Sequence, residues 1–178
     1  VRRQRQMCIR DRYSDPQEPI YSYAPEVQRQ DQDRKVQAVT YNLQFCEQID
    51  QVFADIEQLE KLRKVDVLLL QEVVGKPGGP HCVEKLAKAL SFYAVFAPAM
   101  QHPKNNLDFG NAILSRWPVV QIKKIVLPHK HLIWRTNRVA LMATVQHPEQ
   151  PFDVTTVHLE TLLGSSQHRI AQAQAVFD

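Results

Sequence analysis

The sequence predicts an α/β fold, and three observations carry that prediction. Residues 36–73 read as a strand, a helix and a second strand: VQAVTYN, an amphipathic segment, then VDVLLLQEV. Residues 137–146 and 152–159 read as two strands joined by a short turn, which makes an antiparallel hairpin. The 178 residues, 44% hydrophobic and 23% charged, suit one globular domain with a sizeable core.

Taken in order, residues 1–35 look unlike the rest. Gln, Arg, Asp and Pro dominate and no apolar period is present, so residues 1–35 are expected to be a disordered or non-native tail and residues 36–178 the domain. The run QMCIRDR resembles translated sequencing-adapter sequence, so residues 1–12 are expected not to be biological. No apolar stretch follows the arginines as a secretory signal requires. The net charge of +3 owes most to this tail, which carries eight Lys/Arg against six Asp/Glu. The body has fourteen against thirteen, which is no basic field for nucleic acid on charge alone. No apolar run approaches the ~20 residues of a membrane helix, so no transmembrane segment is expected. The chain is expected to be a monomer.

The first strand is Val36 to Asn42. A helix follows over about 47–64, because Ile49, Val52, Phe53, Ile56, Leu59 and Leu62 make one stripe at helical period. Val65 to Gln71 is almost continuously apolar, as a strand covered on both faces is. A strand, a crossover helix and a strand put two parallel strands side by side. Asn42 and Glu72 then sit at the same C-terminal edge, where open α/β sheets place ligands. The run KPGGP, residues 76–80, is a loop, and GKPGGP lacks the spacing of a P-loop. A short helix spans His81 to Leu90, with Val83, Leu86, Ala87 and Leu90 on one face. Strands follow over Phe92 to Pro98, Gly110 to Leu114 and Val119 to Leu127. Residues 128–136 form a loop holding His129, Lys130, His131, Trp134 and Arg135, either one wall of a nucleic-acid groove or an ordinary exposed loop. Residues 165–178 form a last helix with Ile170, Ala173 and Phe177 as its apolar face.

The three cysteines, Cys8, Cys46 and Cys82, are odd in number and contain no CxxC. They point to free thiols in a reducing compartment, so a cytoplasmic location is favoured over secretion.

Several side chains carry candidate chemistry. Glu72 is a carboxylate at the end of a buried strand, a rigid place from which to hold a hard cation such as Mg²⁺. A Glu that merely opens a loop reads the same way. Asn42 ends a strand, which also suits a turn former. His158 lies in the strand-like run VTTVHLE, where it either satisfies the core or serves a phosphoryl oxygen or a proton. Arg138 opens a strand and can clamp phosphate. Asn111 lies inside GNAIL and needs a partner, either in the core or on a ligand.

TYN at 40–42, LLLQEV at 68–73, FGNAILSRWPV at 109–119, NRVAL at 137–141 and TTVHLE at 155–160 occur in this order. Together they resemble the endonuclease/exonuclease/phosphatase superfamily, the DNase I-like metal-dependent phosphoesterases, from about Val36 to the end. The resemblance implies a four-layer α/β/β/α sandwich and a hydrolase that attacks phosphorus in line with water, assisted by Mg²⁺ (or Mn²⁺). It implies that Glu72 is a direct metal ligand and that Asn42 lies beside metal and phosphate. Asn111 would help orient the phosphate site, His158 would contact the scissile phosphate, Arg138 would bind phosphate, and Glu160 would be structural. The substrate would be a phosphoester, in a nucleic acid or a phospholipid headgroup. The superfamily pattern continues with Gly-Asp-x-Asn and ends with Asp-His, and neither Gly-Asp nor Asp-His occurs in these residues. The chain is therefore expected to be C-terminally truncated and inactive by itself. The alternative is a non-catalytic phosphate- or nucleic-acid-binding module of the same fold.

Overall fold

The computed structural model describes residues 12–26, 35–63, 65–78, 81–103, 105–130, 136–160 and 166–178. A five-stranded sheet is built from β1 (Tyr21–Tyr23), β2 (Ala38–Asn42), β3 (Val67–Gly75), β4 (Tyr93–Gln101) and β5 (Asp108–Ser115), in the order β1-β4-β5-β3-β2. Helix α1 (Ile49–Arg63) joins β2 to β3, and these two strands pair in parallel from Ala38↔Val67 to Asn42↔Gln71. Helix α2 (Cys82–Leu90) joins β3 to β4. A three-stranded antiparallel sheet follows, β6 (Val119–Val126), β7 (Val139–Val145) and β8 (Phe152–Val157), and then helix α3 (Ser166–Phe177).

Side-chain alternation decides how the layers stack. Leu68, Leu70, Ala112, Leu114 and Phe96 point to one face of the large sheet. There they meet Val52 and Ile56 of α1 and Val83, Leu86, Ala87 and Leu90 of α2. Val67, Val95, Ala97 and Ile113 point to the other face and meet Leu141 and Ala143 of the small sheet. The two clusters are the α/β and β/β interfaces of the sandwich, and α3 is joined to the segments after β6 and β8 through Gln172. The α2 stripe, Val52 and Ile56 of the α1 stripe, and the near-continuous burial of β3 and β5 agree with the sequence pattern, while the Leu59 and Leu62 side chains lie outside the described residues.

Three expectations need correction. The segment expected to lie outside the fold enters it between residues 12 and 26. Tyr13 is buried, β1 pairs with β4, Lys124 Nζ donates to the Glu18 carbonyl at 2.7 Å, and Asn137 Nδ2 donates to Ser14 Oγ at 2.8 Å. A three-residue strand and isolated tyrosines in polar sequence are too sparse to register as a period. Residues 1–11 and 27–34 lie outside the described residues. Next, Cys46 and Cys82 are not free thiols; they form a disulfide with a Cα–Cα distance of 6.4 Å. Parity and spacing cannot report that the turn after β2 lies against the first residue of α2. Finally, the apolar face of α3 does not seal against the body. Ile170 is 57% and Phe177 89% exposed, while the buried residue of that helix is Gln172. A polar side chain, not an apolar stripe, holds α3 in place. Among the described residues no helix is long and apolar enough to cross a membrane.

Candidate active site

The site begins with an irregularity in β3. Leu70 pairs with Ala112 of β5 and Val73 with Gly110, so Gln71 and Glu72 together oppose the single residue Asn111. This is a β-bulge, and Glu72 takes a left-handed φ of 55° within it. Strict alternation would turn Glu72 under the helices with Leu68 and Leu70. The extra residue gives that place to Val73, and Glu72 swings instead toward the open end of the sandwich. Gly110 allows the neighbouring strand to follow, since a Cβ there would stand 2.1 Å from the Ala97 carbonyl oxygen.

Asn42 ends β2 beside the bulge. Its amide donates to Glu72 Oε1 at 3.0 Å, and its own side-chain oxygen accepts the Gln44 backbone N–H at 2.9 Å. The chain then makes a left-handed turn in which Gln44, Phe45 and Cys46 all have positive φ. Phe45 stacks on Phe109 at 5.1 Å and meets His102 edge-on, and Cys46 carries the disulfide. A shallow groove opens beside Asn42, lined by Tyr41, Gln44, Gln48 and Gln51. It includes none of Glu72, Arg138 and His158, so it adjoins their cluster through Asn42 without being formed by it.

The small sheet supplies the facing wall. His158 follows β8 and places Nε2 3.8 Å from Glu72 Oε1, while Nδ1 lies 3.4 Å from an Arg138 guanidinium nitrogen. Burial and the Arg138 charge depress the His158 pKa; Glu72 and Glu160 oppose the shift without reversing it. The imidazole is therefore neutral near pH 7, and the 3.8 Å contact is neither an ion pair nor a hydrogen bond. Because Arg138 can only donate, Nδ1 accepts, and the ring proton sits on Nε2, facing Glu72 and the cleft. Arg138 precedes β7 and turns its Nε to Glu160 Oε2 at 3.6 Å.

Asn42, Glu72, His158 and Arg138 thus form one connected cluster from four strands, at the ends of β2, β7 and β8 and in the bulge of β3. Asn111 sits one layer deeper, buried, with its amide donating to the Val139 carbonyl at 2.8 Å. It ties β5 to β7 beneath the cluster. His131, Trp134 and Arg135 lie outside the described residues; His129 is exposed and stacks on His168 at 4.3 Å.

Sequence reasoning passed over Gln71 and Gln172, and named Glu160 only as structural. Gln71 bridges the sheets from the floor of the cleft. Glu160, expected to be structural, stands behind Arg138. Gln172 accepts the Glu160 backbone N–H at 2.9 Å and donates to the carbonyls of Pro128 and His129, holding the 158–160 segment and the 128–130 loop together. Only the QE pair in LLLQEV could have signalled Gln71. Nothing in the sequence marked Gln172, whose partners lie 12, 43 and 44 residues away.

The donor set decides which metal these residues suit. Glu160 faces Arg138, while Glu72 has only the Asn42 amide as a hydrogen-bond partner among the described residues. No three His, Cys, Asp or Glu side chains stand close enough together among those residues to cage an ion. One partly buried carboxylate with amides nearby does not suit zinc, which asks for several nitrogen or sulfur ligands. It fits a hard divalent cation that keeps most of its water and takes further oxygens from a phosphate.

A profile of the Endonuclease/Exonuclease/phosphatase family matches residues 39–160. The chain belongs to that family. Its members are metal-dependent phosphoesterases and nucleases. No curated protein matches the sequence significantly. Among solved structures, a family protein from Leptotrichia buccalis C-1013-b superposes with a TM-score of 0.63 at 12% identity, covering 80% of this chain and 62% of that one. The human Nocturnin catalytic domain with bound sulfate gives 0.60 at 20% identity, covering 92% and 62%. D. rerio TDP2 complexed with a single-strand DNA product gives 0.58 at 23%, covering 81% and 54%. The chain is similar to these in fold and spans less than two-thirds of the length of each.

Proposed function

We propose that this chain is the part of a phosphoester hydrolase that holds its Mg²⁺ (or Mn²⁺) and grips the phosphate. The observation that carries the reading is the delivery of Glu72 by a strained bulge to a cleft where Asn42, His158 and Arg138 converge. A backbone outlier at such a place is a reason to look for function. When bound, the cation would neutralise charge on the phosphoryl oxygens during in-line attack by water. Glu72 would hold it, and the Asn42 amide fixes the carboxylate rotamer. His158, neutral and carrying its proton on Nε2, suits donation of a hydrogen bond to a phosphoryl oxygen, not removal of a proton from water. Arg138 supplies a positive charge behind it, and Asn111 holds β5 and β7 in register below. The substrate is a phosphoester of a nucleic acid or a phospholipid headgroup.

Mn²⁺ titration of wild type and Glu72→Gln tests the metal assignment, and hydrolysis of bis(p-nitrophenyl) phosphate with Mg²⁺ or chelator tests turnover. The wild type should bind Mn²⁺ and Glu72→Gln should lose most of that affinity. Equal affinity in the variant would refute the assignment. Metal and phosphate binding without hydrolysis by the full-length protein would identify a binding module of the same fold.

A further inference from the structure

One side-chain amide connects three of the four strands that feed the cleft, β2, β3 and β8. Gln71 Nε2 donates to Thr156 Oγ1 of β8 at 2.8 Å, to Thr40 Oγ1 of β2 at 3.1 Å and to the Leu69 carbonyl of β3 at 3.1 Å. The amide has two protons, so three acceptors use its donor capacity fully. Thr40 lies two residues before Asn42, Thr156 two before His158, and Gln71 directly before Glu72. Residues two apart in a strand share a face, so each tie is made on the side from which the site residue projects. Thr156 is buried, and its hydroxyl needs such a partner.

We propose that Gln71 is a positioning residue whose amide sets the separation of Glu72 and His158 by pinning β2, β3 and β8 within two residues of the cleft's side chains. Apart from this tie and the hydrogen bond from Asn111 Nδ2 to the Val139 carbonyl one layer deeper, the large and small sheets meet through apolar contacts of Val67, Val95, Ala97, Ile113, Leu141 and Ala143. Those contacts are strong but non-directional, and they let one sheet slide on the other. A hydrogen bond from a side chain locked in a bulge is directional, and it fixes the slide at the one place where it matters. The bulge serves both residues: it keeps Gln71 on the inter-sheet face while turning Glu72 out beside it. The functional consequence rests on the metal-dependent reading of the cleft; the geometric claim does not.

The test uses the 178-residue chain with Gln71→Leu, Thr156→Val and Thr156→Ser, and Glu72→Gln as reference. Three quantities are measured: the His158 ring resonances by NMR at one fixed pH without metal, Mn²⁺ affinity by water relaxation, and the thermal midpoint. Gln71→Leu and Thr156→Val should shift the His158 resonances alike, and Thr156→Ser should restore them. Mn²⁺ affinity should fall about 10–100-fold in the first two variants, as loss of an outer-shell partner does. The Gln71→Leu/Thr156→Val double variant should be no worse than either single one. A lowered melting point with unmoved His158 resonances and unchanged Mn²⁺ affinity would reduce Gln71 to a structural residue and overturn the proposal. So would an effect of Gln71→Leu that Thr156→Val fails to reproduce. If the wild type bound no Mn²⁺, the metal reading would fall, and the ring resonances would still decide the role of Gln71.

Discussion

Reduction of the Cys46–Cys82 disulfide should weaken the chain considerably, and the loss can be worked from its placement. The bond closes a loop across a sequence separation of 36. Chain-entropy arithmetic for a loop of that length gives about 4 kcal/mol at 25 °C, because the open chain regains conformations when unfolded. For a domain of this size, that corresponds to a fall of roughly 8–16 °C in the melting midpoint. With a urea slope near 2 kcal/mol/M it is a midpoint shift of about 2 M. The bond also secures the left-handed turn at Gln44, Phe45 and Cys46, so the native side loses a restraint as well. The assay is urea unfolding followed by circular dichroism, with and without a dithiol reductant, beside Cys46→Ser/Cys82→Ser. The oxidised wild type should stand alone at the higher midpoint, and the reduced wild type should match the double variant. Thiol titration of the unfolded, unreduced chain should find one free thiol of the three, that of Cys8. Three free thiols, or one midpoint for all samples, would refute the reasoning.

Three further outcomes are expected. Gln44→Gly should raise stability by about 0.5–1 kcal/mol, since an exposed side chain at φ 45° bears a left-handed penalty that glycine lacks; chemical denaturation reads it. Arg116→Met should cost about 3–5 kcal/mol in the same assay, because it removes the buried guanidinium 2.9 Å from Asp66 Oδ1, and pairing it with Asp66→Asn should recover part of the loss. Stability should decline on acidification. Burial depresses the pKa of both His81 and His158 in the folded chain, so the unfolded chain binds more protons. That contribution is complete above the ordinary histidine pKa of about 6.5 and is lost as pH falls through the lowered folded values. Melting midpoints from pH 8 to 5 should show it, with a shallower slope in His81→Phe.

What the sequence disclosed follows from which forces are local. The α2 stripe of Val83, Leu86, Ala87 and Leu90 is written at helical period, and all four residues are buried. The parallel pairing of β2 and β3 follows from a helix between two apolar runs. Those elements also brought Asn42 and Glu72 to one edge, and the later strands brought Arg138 and His158 opposite. The devices that shape the cleft were not legible. Gln44-Phe45-Cys46 contains no Gly, Asn or Pro, yet it turns left-handed because Phe45 packs on Phe109 and Cys46 is bonded to Cys82. The bulge has no glycine at Glu72 to announce it. Gln71 and Gln172 act on partners up to 85 residues away. Each of these depends on contacts between distant segments, which no local period records.

The strain beside the cleft can be weighed against its alternative. A non-glycine residue in the left-handed region costs about 1–2 kcal/mol. Without the bulge, the alternation of β3 would carry the Glu72 carboxylate into the apolar cluster formed by Leu68, Leu70 and the two helices. Burying an unpaired carboxylate there would cost several kcal/mol even after relaxation. The backbone penalty is the smaller of the two, so a charged residue at this position of the sheet itself favours the bulge. The same comparison explains why the distortion is confined to one residue: Val73 returns to the helix face and pairs with Gly110, and the ladder continues to Gly75. A carboxylate placed by the sheet, not by a loop, is held to the tolerance of the sheet. That is the property the proposed metal ligand would need.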